Sequence, residues 1–158
     1  MLAAAGCGEE GAPSFESARV ASVADGDTVR LDDGRNVRLV QIDAPEPEGE
    51  CFGRAASRVL AALLPPGTTL ELERDPRLDS RDRFGRLLRY AHTRGRNINI
   101  VLVERGAAAP YFFRRDRGRH ASELLEAAED ARSARRGLWG ACPFARLAPG
   151  RGLDAGPP

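Results

Sequence analysis

The stretch Asp25-Gly26-Asp27-Thr28-Val29-Arg30-Leu31-Asp32-Asp33-Gly34-Arg35-Asn36-Val37-Arg38-Leu39-Val40-Gln41-Ile42-Asp43-Ala44-Pro45-Glu46 decides the fold. Val29 to Leu31 and Val37 to Ile42 are short aliphatic runs. Asp32-Asp33-Gly34 between them is a strong hairpin signal, because Asp and Gly tolerate the backbone conformations of tight turns. The stretch therefore reads as part of a β-meander. It also gathers Asp27, Asp43, Glu46 and Arg38 in a short span. Acidic residues where strands end can hold a hard divalent cation, and an arginine beside them can hold a phosphate. Asp82-Arg83-Phe84-Gly85-Arg86 supplies another basic side chain on a tight turn.

Working outward, Ser17 to Ala24 has alternating apolar residues and precedes the Asp-Gly-Asp turn. Thr68 to Glu73 and Leu87 to His92 read as two more strands, which makes five. Arg54 to Leu64 places Ala56, Val59, Leu60 and Leu63 on one helical face, and Pro65-Pro66-Gly67 stops it. Ala121 to Arg136 carries a stripe of Leu124, Leu125, Ala128 and Ala131, closed by Arg135, Arg136 and Gly137. Asn97 to Glu104 reads two ways. Ile98, Ile100 and Leu102 alternate like a strand, while Asn97 as N-cap and Gly106 just past the end argue for a helix. Five short strands with interspersed helices predict an α+β domain built on an OB-type barrel.

The 158 residues suit one domain with a real core. Residues 1–14, rich in Gly, Glu and Pro, are expected to be a disordered lead or tether. Residues 15–143 are expected to form the folded domain, and 144–158 a mobile tail. The net charge is +1, so no global basic field draws in nucleic acid. All 24 basic residues are Arg. A chain without Lys but rich in Ala, Gly and Pro reflects GC-rich coding, so the arginine count by itself carries no functional message.

Met1-Leu2-Ala3-Ala4-Ala5-Gly6-Cys7 resembles the end of a bacterial lipoprotein signal, with small residues before a cysteine. Only six residues precede Cys7, fewer than a complete signal needs. A truncated start is the favoured reading, with Cys7 as lipid attachment point and membrane tether; the alternative is a chance match in an Ala-rich chain. Three cysteines are an awkward number for a secreted protein. In an oxidising compartment Cys51 and Cys142 are the expected pair, which would leave Cys7 free. The alternative is three unrelated small residues of a cytosolic protein. The favoured location is extracytoplasmic, secreted or lipid-anchored.

The Asp-Gly-Asp-Thr-Val, Arg-Leu-Val-Gln-Ile-Asp-Ala-Pro-Glu and Asp-Arg-Phe-Gly-Arg segments resemble, in order and spacing, those of the staphylococcal nuclease (thermonuclease) family. Phe52 to Ser57, Asn97 to Gly106 and Gly137-Leu138-Trp139-Gly140 add weaker matches. The resemblance covers roughly Phe15 to Pro143. It implies a five-stranded OB-fold barrel with three helices, and it tips Asn97 to Glu104 toward helix. It also implies a Ca2+-dependent, largely sequence-indifferent nuclease that acts on DNA and RNA as a monomer and leaves 3′-phosphates.

Residue by residue, the resemblance makes Asp27, Asp43 and the Ala44 carbonyl the metal ligands. The family often has Thr at the Ala44 position, a change that a backbone ligand tolerates. Taken alone, Asp-Gly-Asp is ordinary turn chemistry. That reading weakens at Asp43, which ends an apolar strand where no turn requires a carboxylate. Glu46 is picked as general base, with Glu48 as its rival. Arg38 and Arg86 are the phosphate ligands, and Arg83 is the less favoured substitute for Arg86. Arg38 and Asp43 are an odd number of residues apart, so a flat strand would send them to opposite faces. A twist or bulge is needed to join them. Tyr111 and Phe113 are candidates to flank a nucleotide base, whereas Phe112 reads as core. His92 and His120 have no acidic or Cys residue at ligand spacing in the sequence, and neither is expected to act.

The rival class is a non-catalytic OB module that only binds nucleic acid or protein. A binding relic is expected to have lost part of the catalytic set. Asp27, Arg38, Asp43, Glu46 and Arg86 are all present. A structural Ca2+ site on an adhesion protein would not need the two arginines.

Overall fold

Ser14–Val23 (β1) is a ten-residue strand that serves two neighbours. Its first half pairs antiparallel with Thr69–Arg74 (β5), its second half with Thr28–Leu31 (β2), and the register shifts between Val20 and Ser22. That irregularity bends the strand and lets one sheet curl over the core. Asn36–Leu39 (β3) pairs with β2 across the Asp32-Asp33-Gly34 turn, with Gly34 at φ +87°. Leu87–Thr93 (β6) pairs antiparallel with β5 and parallel with β3. The last pairing closes a five-stranded mixed barrel in the order β3-β2-β1-β5-β6. The computed structural model describes residues 11–158, so Cys7 and most of the expected N-terminal lead lie outside the described residues.

The inward positions of these strands form the core. Val20, Val29, Leu31, Val37, Leu39, Leu70, Leu72 and Leu87 are all buried. Ile42–Asp43 (β4) is a separate short strand paired with Ala109–Pro110 (β8), not a continuation of β3. Gly53–Leu63 (α1) lays Ala56 and Leu60 on the core and ends before Pro65-Pro66-Gly67.

Arg96–Asn97 (β7) leads into Ile98–Glu104 (α2), which resolves the ambiguous segment as a helix. The Asn97 side chain caps it, accepting from the Asn99 and Ile100 N–H groups. At the other end Gly106 N–H donates to the Val103 carbonyl and Ala107 N–H to the Leu102 carbonyl, a Schellman ending. Gly106 has φ +64°, and a Cβ there would lie 2.1 Å from the Arg136 carbonyl oxygen, so both conformation and space demand glycine. Ala121–Ser133 (α3) buries Leu124, Ala127, Ala128 and Ala131 and packs on α2 and β8. Leu138–Ala141 (α4) is a single turn.

The segment 144–158 differs from the expected mobile tail. Arg146–Ala148 (β9) and Gly152–Asp154 (β10) form a hairpin. Phe112 N–H donates to the Pro149 carbonyl, Cys51 N–H donates to the Gly156 carbonyl, and Ala155 is buried. The Gly/Pro content signals turns here rather than disorder, and Leu147 supplies an apolar contact with the core. Cys51 and Cys142 are joined by a disulfide, with Cα atoms 5.9 Å apart.

Candidate functional site

Asp27 sits in the turn between β1 and β2 and is buried, 7 % exposed. An Asx contact shapes the turn, with the Asp27 N–H donating to Asp25 Oδ1 at 3.0 Å. The intervening Gly26 leaves room for the neighbouring chain, since a Cβ there would meet Ala44 Cβ at 2.6 Å. Asp27 Oδ1 accepts from the Thr28 hydroxyl at 3.2 Å, and Oδ2 accepts from the Ala44 N–H at 2.9 Å.

Arg38 lies between Asp27 and Asp43. One terminal nitrogen is 2.9 Å from Asp27 Oδ2 and 3.2 Å from Asp43 Oδ1. The other donates to the Leu39 and Ile42 carbonyls, each at 2.8 Å. The odd spacing of Arg38 and Asp43 is overcome at Gln41, whose backbone is left-handed with φ +66°. Such a conformation at a non-glycine costs about 1–3 kcal/mol and needs external support. The buried Gln41 amide supplies it, donating to the Asp116 carbonyl at 2.9 Å and accepting from the Gly118 N–H at 2.8 Å. The kink ends β3, starts β4 and swings Asp43 round to Arg38.

Glu46 is exposed on the loop after Pro45, and its N–H donates to Glu50 Oε2 at 2.6 Å. Its carboxyl is pushed above the ordinary glutamate range by partial burial, then by the negative charges of Asp25, Glu50 and Asp43, against the pull of Arg38. Asp27 is pushed up to about 7, chiefly by burial; Arg38 opposes the rise, and Asp25 and Asp43 reinforce it. The carboxylates here outweigh the single guanidinium among them. That charge excess, with two aspartates and the Ala44 backbone at one point, fits a hard divalent cation.

Arg86 joins this group from the other side. Its Nε donates to Asp82 Oδ2 at 2.6 Å, and a terminal nitrogen reaches the Thr28 hydroxyl at 3.4 Å. Asp82 also accepts the Phe84 and Arg86 N–H groups, and Gly85, at φ +80°, turns the chain. Arg83 shares the Phe84 ring with Arg86, its guanidinium 4.7 Å and that of Arg86 5.6 Å from the ring centroid. Phe113 is 54 % exposed beneath the Arg114 guanidinium. Tyr111 is half-buried, its N–H donates to the Gln41 carbonyl, and its ring neighbours Gly152 of the tail hairpin. Phe112 is buried.

Four participants escaped the sequence reading. Asp25 shapes the turn and acts on both Asp27 and Glu46. Thr28 links Asp27 to Arg86. Exposed Phe84 is flanked by Arg83 and Arg86. The Leu153 N–H of the tail hairpin donates to Asp43 Oδ2 at 2.9 Å. The Asp25-Gly26-Asp27 spacing was the available signal for the first, and Asp82 to Arg86 for Phe84; the Thr28–Arg86 and Leu153–Asp43 contacts depend on tertiary approach.

The histidines need correction. Glu73 Oε2 lies 2.7 Å from His92 Nε2 and 3.0 Å from His120 Nε2. For His92 the acidic partner is remote in sequence but adjacent in the β5–β6 ladder, where Glu71 opposes His92 and Glu73 opposes Tyr90. His120, at the start of α3, also has Glu123 three residues on, 3.1 Å from its Nδ1.

A family model described as staphylococcal nuclease homologue matches residues 36–141, which includes Arg38, Asp43, Ala44, Glu46 and Arg86. The chain belongs to the staphylococcal nuclease family. It is 34 % identical over 125 residues to an uncharacterized endonuclease of Escherichia coli, covering 77 % of this chain and 75 % of that one. It is 32 % identical over 127 residues to an uncharacterized endonuclease of Haemophilus influenzae, covering 77 % and 65 % of the two chains. A thermonuclease of Staphylococcus intermedius is 34 % identical over 107 residues, 62 % and 61 % of the two chains. Within this family the five-stranded barrel with its helices is the OB-type nuclease fold, and the domain is a nuclease.

Proposed function

We propose that this chain is a Ca2+-dependent phosphodiesterase that hydrolyses DNA and RNA with little sequence preference. The observation that carries the reading is the bridge from Asp27 through Arg38 to Asp43, with Glu46 beside it. Asp27, Asp43 and the Ala44 carbonyl are the residues that would hold the cation. When bound, such a cation supplies charge neutralisation at the scissile phosphate.

The remaining work falls to this chain's side chains. Glu46, its carboxyl raised above the ordinary glutamate range first by partial burial and then by Asp25, Glu50 and Asp43, takes the proton of a water that attacks phosphorus in line, and the 5′-oxygen leaves. A phosphodiester transition state gathers charge on its equatorial oxygens, and the Arg38 and Arg86 forks neutralise it. Arg38 engages the phosphate by exchanging its carboxylate partners for phosphate oxygens. Arg86 is held toward Thr28 by Asp82, so its direction is set before substrate arrives. Tyr111, Phe113 and exposed Phe84 offer ring faces to bases, a contact that does not read sequence.

The Cys51–Cys142 disulfide supports placing the protein in an oxidising, extracytoplasmic compartment, where it acts as a monomer, secreted or tethered through Cys7. Digestion of single-stranded DNA with Ca2+ and with chelator tests the activity, with Glu46→Gln alongside. Cleavage in Ca2+ alone, falling about 10²–10⁴-fold in Glu46→Gln while nucleotide binding persists, is the expected result. Equal cleavage by Glu46→Gln transfers the role of base to Glu48. No cleavage under any condition, with nucleic-acid binding retained, returns the protein to the binding-module class.

A further inference from the structure

Glu73, His92 and His120 bring one carboxylate oxygen and two imidazole nitrogens to a single point, all within 4.8 Å of one another. The contributing residues come from β5, β6 and the N-cap of α3, so three separate elements fix the geometry. We propose that this cluster is a second metal site, for a borderline divalent d-block ion of the Zn2+ class, distinct from the hard-cation site at Asp27 and Asp43. The proposal is independent of the nuclease reading.

Tetrahedral Zn2+ takes nitrogen and carboxylate ligands at about 2.0–2.2 Å, which sets neighbouring ligand atoms roughly 3.3 Å apart. Both Nε2 atoms already lie close to that separation from Glu73 Oε2, at 2.7 and 3.0 Å. An ion enters as the Glu73–His92 and Glu73–His120 separations open by about 0.6 and 0.3 Å toward that spacing. Two His and one Glu make a three-ligand set, and the fourth position falls to water. Both imidazoles retain some exposure, with side chains 19 % and 18 % accessible, so solvent reaches the cluster.

The surroundings suit ligation. Glu123 Oε1 is 3.1 Å from His120 Nδ1. A carboxylate on that nitrogen holds the proton there and leaves the Nε2 lone pair for a metal, the usual outer support of a ligating histidine. The Tyr90 ring meets His120 edge-on at 4.6 Å, and Phe15 meets His92 at 6.0 Å, which restrains both rings. Arg119 occupies the other Glu73 oxygen at 3.2 Å, leaving Oε2 for the ion. Two carboxylates against one guanidinium leave a net negative surround. Imidazole donors favour Zn2+, Co2+ or Ni2+ over Ca2+, whereas the Asp27–Asp43 set offers only oxygen. Ligand chemistry therefore sorts the two cations. A bound ion would fasten the start of α3 to the barrel wall.

The test uses the whole chain, stripped of metal by chelator and then supplied with excess Ca2+ to fill the oxygen site. Co2+ is titrated for tetrahedral visible absorption, and Zn2+ for thermal stabilisation. One equivalent of Co2+ giving tetrahedral bands is expected. So is a rise in Tm of about 5–10 °C at a free Zn2+ concentration near 100 times its Kd. His92→Gln and His120→Gln should each abolish both signals, while Asp43→Asn keeps them. If His120→Gln fails to fold, His92→Gln alone decides. Absence of both signals in the wild type, or their persistence in His92→Gln, overturns the site and leaves a hydrogen-bonded Glu–His–His triad.

Discussion

The Leu153 N–H points at Asp43 Oδ2, 2.9 Å away, so the tail hairpin touches one of the carboxylates that would hold a cation. Asp43 Oδ1 is meanwhile engaged by Arg38. Both oxygens of this aspartate therefore have protein partners before any ion arrives, and a cation must share or displace them. Gly152 makes the approach possible: it has φ +99°, and a Cβ there would lie 2.9 Å from the same oxygen.

Removal of residues 146–158 is accordingly expected to tighten Ca2+ binding. A hydrogen bond to a charged group is worth about 1.5 kcal/mol, so the gain should be roughly tenfold. Thermal stability should fall, because the contacts of Ala155 and Pro149 are lost with the hairpin. Calorimetric titration of the truncated and full chains measures the first effect. A weaker affinity after truncation would mean that the hairpin orients Asp43 for the ion rather than competing with it.

Arg38→Lys keeps the positive charge but cannot hold two carbonyls and two carboxylates at once, as the guanidinium does. Turnover should drop about 10²–10³-fold, with a much smaller change in mononucleotide affinity. Arg35, paired with Glu16 and Asp33 on the first hairpin, provides the control. Arg35→Ala should cleave at close to the wild-type rate. Equal losses in the two variants would reduce Arg38 to diffuse charge.

Asp27 sets a pH dependence whose sign follows from its raised folded value of about 7 against an ordinary value of 3.8. Between those limits the cation-free folded chain keeps a proton that the unfolded chain has released. The Asp27 contribution to stability is therefore fully present below about pH 4 and is lost as pH rises toward 7. The same proton competes with the cation, so Ca2+ affinity should climb by up to about tenfold per pH unit and level off above 7. Asp27→Asn removes the proton competition. Denaturation midpoints of wild type and variant in chelator, read as their difference across pH, isolate the stability effect; a flat difference would mean that Asp27 is ionised throughout.

The barrel was legible because each of its five strands is announced locally, by alternation at Thr69–Arg74 and by the Asp32-Asp33-Gly34 turn between β2 and β3. The short motifs likewise marked Asp27, Arg38, Asp43 and Arg86, which the fold brings together. What escaped was long-range. The left-handed Gln41 depends on an amide answered by Asp116 and Gly118, far along the chain. Glu73 finds His92 only through β-ladder register, and His120 only because α3 begins there. Glycine and proline in the tail read as disorder from sequence alone, whereas the structure turns them into a hairpin that lets Leu147 and Ala155 bury surface.

Gly53 offers a way to disturb Glu46 without touching a charged group. A Cβ at Gly53 would lie 1.7 Å from the Glu46 carbonyl oxygen and 2.9 Å from Pro47 Cα, so the start of α1 presses directly on the loop that carries Glu46. Neither atom belongs to a flexible side chain, and the overlap can be relieved only by moving the loop or the helix. A shift of about 1 Å at a catalytic group can cost on the order of 10²-fold in rate. Gly53→Ala should therefore lose most cleavage, while Asp27 and Asp43, held from the β1–β2 turn and β4, keep Ca2+ affinity within a few-fold. Stability should fall by about 1–3 kcal/mol from the overlap. Turnover and Ca2+ binding measured on the same folded variant separate the two effects. Parallel loss of both would show that the Glu46 loop and the aspartate pair move as one unit, and full activity would mean that Glu46 is not held through α1.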